Sequence, residues 1–473
     1  MGNYYDELLK LCGFEDEEIK REKPRIDEVF KRLELGPGDI GKAERWVRSN
    51  HDIELLGVRK LLRAWLLELF DMVLSRAEGK KIVYYGFPSI PGPGMAIRAA
   101  AKEAGVSLYC ACPDVILCHT VGQIFNKLAP ILEAGEANGL PPGHSLCSLQ
   151  QIRNGGMAKG IIPVPDLVTG SSYFCDMGSK ADELLHEKYG HRAVYIDGSM
   201  DSRWGEYPQY LPERVEFLGA QLNKLFKTVK EVTGVEVTSA AWDKAMNTSR
   251  ELYGALGRLT RLMTADPMPI SGVAVGLALQ LTAGSTGRSM SEGPEAVNTL
   301  CEDVEKRVKE GIGVVEKGAP RVLNFIQPFS DPSLIHMMEN AGLAMSATLL
   351  SVPSKKYPPT EYTTLGEIRA EREMRDGHYH SSFGFAKRFE EAARDLNMDG
   401  VMWGYLYNCR PLAETSLTIK KWVEESLGIP VLSLEMDIYD SRNYSAAALR
   451  TRVEAFAEIL RARKASTQKV KEV

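Results

Sequence analysis

Two stretches of this chain share one grammar, and that repetition constrains the fold more than any other feature. DLVTGSSYFC (166–175) is an apolar run opened by Asp166 and closed by Cys175; DGVMWGYLYNC (399–409) is opened by Asp399 and closed by Cys409. A helical segment and another short apolar run follow each of them: 178–189 then RAVYIDG (192–198), and 417–427 then IPVLSLEMD (429–437). Upstream of each lies a strand-helix-strand pattern, KKIVYYGFP, PGPGMAIRAAAKEAG and VSLYCAC from Lys80, then RVLNFIQP, SLIHMMENAG and LAMSATLLS over 321–351. Short buried runs alternating with helices describe parallel sheets covered on both faces. The expected fold is therefore α/β, with two Rossmann-like, doubly wound lobes.

The remaining sequence reads as helix. Residues 6–12, 25–33 and above all IELLGVRKLLRAWLLELFDMVLSR (53–76) carry apolar residues at three- and four-residue spacing, which marks an amphipathic or buried helix. Between the lobes, three more amphipathic segments are interrupted by turns at Pro267, Pro269 and 284–287. The expected organisation is a helical N-terminal segment (1–79), a first lobe (80–204), a helical connection (205–318) and a second lobe (319–473). The last ten residues, KASTQKVKEV, are polar and expected to fray.

Composition narrows the function classes. A net charge of −5, with 44% hydrophobic and 26% charged residues, provides no basic field for nucleic acid. The start, MGNYYDELLKLCGFEDEE, lacks the order of a signal peptide, and no apolar run has the length of a membrane span. The expected location is the cytoplasm. There, eight cysteines are expected to be buried, catalytic or metal-bound rather than paired.

In a parallel sheet, residues just beyond the carboxyl ends of the strands line the ligand crevice, so facing lobes would present Cys175 and Cys409 to one cleft. Cys147, after a Pro-Pro-Gly-His turn and ahead of a helix, is the third candidate. Three thiols without C-x-x-C spacing leave two readings open, iron ligands or small buried hydrophobes. His119 and His144 lie beside cysteines but suit hydrogen bonding better than ligation, HEKYGH (186–191) is a helix end and not H-E-x-x-H, and the His378/His380 pair suits a loop or a substrate contact. Gln150, Gln151 and Arg153 follow Cys147 at a helix start, where an anion contact competes with ordinary solvation.

HSLCSLQQ, PDLVTGSSYFCD, DGVMWGYLYNC and the tail LEMDIYDSRNYSAAALRTRVEAF occur in that order across roughly residues 80–460. Together they resemble subunits of the 2-hydroxyacyl-CoA dehydratase and class I benzoyl-CoA reductase family. The resemblance implies one 4Fe-4S cluster held by Cys147, Cys175 and Cys409 and a CoA thioester substrate. It also implies a related second subunit and one-electron reduction by a separate ATP-hydrolysing iron-sulfur activator. The chain agrees with that division: it has no G-x-x-x-x-G-K-[ST], since GSTGRS (284–289) lacks the Lys, and PGPGMA is not the G-x-G-x-x-G of a dinucleotide site.

Two departures matter. Family dehydratases carry Pro-Glu-Asn where this chain has Pro113-Asp114-Val115, so Asp114 would serve as a shorter catalytic carboxylate; Ser89, near where a family serine falls, is the second catalytic candidate. Cys110, Cys112 and Cys118 would extend the ligand set to an 8Fe-9S double cubane, as in the related double-cubane reductases that act on small molecules. A non-catalytic bilobal binding protein that closes on a small ligand is the reading from outside enzymology.

Overall fold

The computed structural model describes the chain except residues 1–2, 87–90, 141–146, 172–174, 199–201, 285–286, 326–330, 353–357, 377–380, 407–408, 438 and 472–473. Four helices come first: α1 (Asp6–Leu11), α2 (Asp16–Arg32), α3 (Pro37–Asn50) and α4 (Leu56–Leu74). In α4 nearly every apolar side chain is buried, Trp65 and Phe70 among them. A helix apolar on most sides belongs inside a protein rather than on its surface. It packs against the first sheet and the helical connection, and the indole N–H of Trp65 donates to the Leu277 carbonyl at 3.2 Å.

The first lobe holds β1 (Lys81–Tyr85), α5 (Pro91–Glu103), β2 (Leu108–Ala111), α6 (Pro113–Leu117), α7 (Ala129–Ala137), α8 (Ser148–Ala158), β3 (Leu167–Ser171), α9 (Asp176–Tyr189) and β4 (Arg192–Ile196). The connection follows as α10 (Pro212–Thr233), α11 (Ser239–Leu262), α12 (Gly272–Gly284), α13 (Arg288–Ser291) and α14 (Gly293–Glu310). The second lobe contains β5 (Arg321–Phe325), α15 (Ser333–Asn340), β6 (Ala344–Thr348), α16 (Leu365–Arg375), α17 (Ser382–Asp395), β7 (Gly400–Tyr405), α18 (Arg410–Leu427), β8 (Val431–Glu435) and α19 (Ala446–Lys471).

Both sheets are wholly parallel and have the same strand order, β2-β1-β3-β4 and β6-β5-β7-β8. The repeated Asp has the same task in each. Asp166 accepts from the Ile82 amide at 2.7 Å and its own amide donates to the Ile82 carbonyl at 2.8 Å. Asp399 repeats this with Arg321, at 2.8 Å in both directions. Each carboxylate thus caps the start of the central strand pair, and a cation steadies it: Arg76, in the turn after α4, on Asp166 at 3.1 Å, and Lys464, on α19, on Asp399 at 3.1 Å.

One hydrophobic core runs through the N-terminal helices, the first sheet and the connection, while a second lies in the second lobe around Trp403, Phe385 and Phe389. The expected fray at the C-terminus gives way to a helix, because Lys464 is tied to Asp399 and the Ala319 carbonyl and Arg461 to the Ala341 carbonyl. Among the described residues, no helix is long and apolar enough to cross a membrane.

Candidate functional site

Cys147, Cys175 and Cys409 each stand immediately before a helix, as the N-cap residues of α8, α9 and α18, all with extended backbone. Their carbonyls open the helices, accepting from Gln150 at 2.9 Å, Gly178 at 3.2 Å and Ala413 at 2.9 Å. None of the three side chains caps its own helix. The positive end of a helix favours a thiolate, so three such ends aimed at one place suit a bound cationic centre.

The three thiols share one locality. Cys147 is half-buried, and burial, then Cys175, then Cys409 push its thiol well up. Tyr439, in the loop after β8, is buried beside the same group: its hydroxyl is raised by burial and then by Cys147, Cys118 and Cys409. Asp437 holds that loop in place. Its carboxylate accepts from the amides of Tyr439 at 3.0 Å and Asp440 at 3.1 Å, from the Asn443 side chain at 3.0 Å, and from the hydroxyl of Ser148, the residue after Cys147. The C-terminal loop of one lobe is thereby pinned to the cysteine-bearing helix of the other.

Beneath the thiols lies a buried ionic trio. Arg153 donates from Nε and Nη2 to the two oxygens of Asp114 at 2.7 and 2.5 Å, and from Nη1 to Asp182. Their exposures are 3%, 0% and 1%, so the pairing is essential: an unpaired charge at such a depth is costly. Arg153 lies on α8 with Cys147, Asp182 on α9 with Cys175 and Asp114 on α6, so one guanidinium joins two thiol-bearing helices. The second oxygen of Asp182 has no hydrogen-bond partner among the described residues and sits over Gly86 and Gly170, where a Cβ would lie 2.5 and 3.3 Å from it. Only glycine admits the carboxylate so close to β1 and β3.

Burial, opposed by Arg153 and reinforced by Asp114, pushes the Asp182 carboxyl up to about 6. A carboxyl whose folded pKa exceeds its unfolded one costs nothing while protonated in both states, and its cost grows as pH rises from the ordinary carboxylate range through about 6. Asp182→Asn removes that cost. The difference in unfolding free energy, measured in urea, is expected to move in favour of the variant between about pH 4 and pH 7. Stability profiles that run parallel over this window would refute the assignment.

The other candidates fall as follows. Asp114, the proposed catalytic carboxylate, gives both oxygens to Arg153 and is fully enclosed. Arg153 itself is neither solvated nor an external anion contact, because carboxylates from α6 and α9 enclose it. Ser89, His144, His378 and His380 lie outside the described residues. Cys110, Cys112 and Cys118 are fully buried; Cys110 lines a small cavity at the ends of β1 and β3, whereas Cys118 is raised by burial and then by Asp114, Cys112 and Cys147. His119 stacks on Trp65 with ring centres 4.5 Å apart and engages the Val115 carbonyl at 2.9 Å. His186, at the end of α9, engages the His191 carbonyl. None of the eight cysteines is joined in a disulfide, and no three His, Cys, Asp or Glu among the described residues converge on a single metal ion. A cubane makes no such demand, since its thiolates bind separate irons.

Sequence reasoning missed the roles of Arg153, Asp182, Asp437 and Tyr439. Only LEMDIYD, within the family-like tail, hinted at the last two.

Two parallel α/β lobes that bring three N-cap cysteines into one locality define a bilobal class of protein. The chain belongs to the family of the 2-hydroxyglutaryl-CoA dehydratase D-component, whose sequence model matches residues 110–460. It is 23% identical over 305 residues to the alpha subunit of (R)-2-hydroxyglutaryl-CoA dehydratase from Acidaminococcus fermentans, a match covering 64% of this chain and 61% of that subunit. It is 22% identical over 309 residues to the (R)-phenyllactyl-CoA dehydratase alpha subunit of Clostridium sporogenes, covering 64% of this chain and 72% of that one.

Proposed function

We propose that this chain is a subunit of a 2-hydroxyacyl-CoA dehydratase and holds one 4Fe-4S cluster through Cys147, Cys175 and Cys409. The observation that carries the reading is the meeting of these three N-cap thiols in one locality. The donor set fits: three thiols meet in one locality, and burial with the neighbouring Cys175 and Cys409 holds the Cys147 thiol well above its usual range, so a cationic centre would have to displace its proton. When bound, the cluster supplies a low-potential electron to a thioester carbonyl, which allows an unactivated hydroxyl to leave. Dehydration is favoured over ring reduction because both relatives are named as dehydratases.

The chain's own residues build and hold the cleft. Arg153, Asp114 and Asp182 fix α8 against α9, Asp437 fastens the Tyr439 loop over α8, and the Tyr439 hydroxyl, raised well above its usual range, remains a proton donor at neutral pH. Asp114 acts as the anchor of Arg153, not as a carrier of substrate protons. A related second subunit completes the enzyme; the names of both relatives, alpha subunits, support this. An ATP-hydrolysing iron-sulfur activator delivers the electron, in keeping with the lack of a P-loop in this sequence.

Anaerobic purification followed by an iron count and an absorbance spectrum tests the reading. About four irons per chain is the expected result, whereas about eight would favour the double cubane. A colourless, iron-free protein would defeat both.

A further inference from the structure

The order β2-β1-β3-β4 puts the topological switch point of the first lobe between β1 and β3, where open α/β sheets bind ligands. A cavity lies there, lined by Tyr85, Gly86, Pro93, Gly94 and Thr169. Helix α5 begins at its edge with Pro91-Gly92-Pro93-Gly94. Two of those four residues have no N–H and the other two have no side chain, so the amides of that turn belong to glycines. No acidic residue occupies that turn to satisfy it from within.

A second, independent observation points to the same helix end. Arg369, on α16, is only 9% exposed and its Nη2 engages Glu373, yet its Nε–H has no hydrogen-bond partner among the described residues. That nitrogen is aimed at the start of α5: a Cβ on Gly92 would lie 3.2 Å from it and 3.5 Å from the Arg369 Cδ. A buried donor left unmade is costly, and a guanidinium edge beside a helix N-terminus matches the oxygens of a phosphate or carboxylate.

We propose that the N-terminus of α5 and the Nε of Arg369 form an oxyanion site for the substrate, taking either a phosphate of coenzyme A or a free carboxylate on the acyl group. The inference rests on the acyl-CoA reading but not on the iron site. Calorimetric titration of the full-length chain, and of its Cys409→Ser variant, with CoA, pantetheine, pyrophosphate and glutarate tests it.

Wild type is expected to bind CoA more tightly than pantetheine. Arg369→Gln should weaken CoA by at least about tenfold, the loss of one charge-assisted hydrogen bond, and leave pantetheine unchanged. Gly92→Ala, which keeps Arg369 but places a methyl over the gap, should weaken CoA in the same selective way even if Arg369→Gln fails to fold. Competition by pyrophosphate alone assigns the site to the CoA phosphates; competition by glutarate alone assigns it to an acyl carboxylate. Binding of none of these anions to wild type, affinities for both CoA and glutarate indifferent to both substitutions, or equal losses for CoA and pantetheine would each overturn the proposal. Because these titrations read ligand binding and not iron content, a failed iron count leaves this result standing.

Discussion

Replacing Arg153 with methionine is expected to destabilise the protein by about 3–5 kcal/mol, the usual consequence of stripping a buried charge cluster of its counter-ion. Asp114 and Asp182, at 0% and 1% exposure, would both remain buried without a cation. Methionine matches the length of the arginine stem, so little of the loss would come from packing. Lysine should recover only part of it, because a single ammonium cannot reproduce the fork that engages both oxygens of Asp114 and one of Asp182. Changing the whole trio to apolar residues should return much of the stability, since a buried ion cluster and a well-packed apolar one are often comparable. Urea denaturation checks all three variants. An Arg153→Met protein as stable as wild type would show that the trio is not what fastens α8 to α9.

The second large effect concerns iron. Cys409→Ser is expected to lower the iron content of anaerobically purified protein by more than half, because a serine hydroxyl is a far poorer ligand for cluster iron than a thiolate. Cys301→Ser is the matched control. Cys301 is buried in α14, and its sulfur contacts the Ala255 carbonyl at 3.5 Å, so its removal should leave the iron count unchanged. Cys118→Ser separates the two cluster readings, lowering a count of about eight toward about four if a double cubane is present and leaving a count of about four as it is. Equal iron in the Cys409 and Cys301 variants would remove Cys409 from the ligand set.

Much of the architecture could be read from hydrophobic pattern alone. The eight strands coincide with short apolar runs, because strands of a parallel sheet covered on both faces are apolar at nearly every position. Helices with mixed composition were harder. Helix α3, PGDIGKAERWVRSN, buries only Ile40, Ala43, Val47 and Asn50, too sparse a stripe to stand out in the sequence. The C-terminal end of α19 looked too polar to be ordered, yet the partners of Lys464, at 399 and 319 in the chain, lie too far off in sequence to enter a local reading.

The sequence by itself determined the two lobes and the Asp-to-Cys repeat. It also singled out three cysteines, because alternation, run length and helix signals are local properties of the chain. Tertiary structure alone decided that the three thiols are all helix N-caps in one neighbourhood, and that Arg153 faces Asp114 and Asp182 across 39 and 29 residues of chain instead of facing solvent. Only it revealed that Asp437 and Tyr439 reach back to Cys147. The physical reason is that charge pairing and thiol proximity depend on distance in space, and helices packed from separate parts of the chain set that distance.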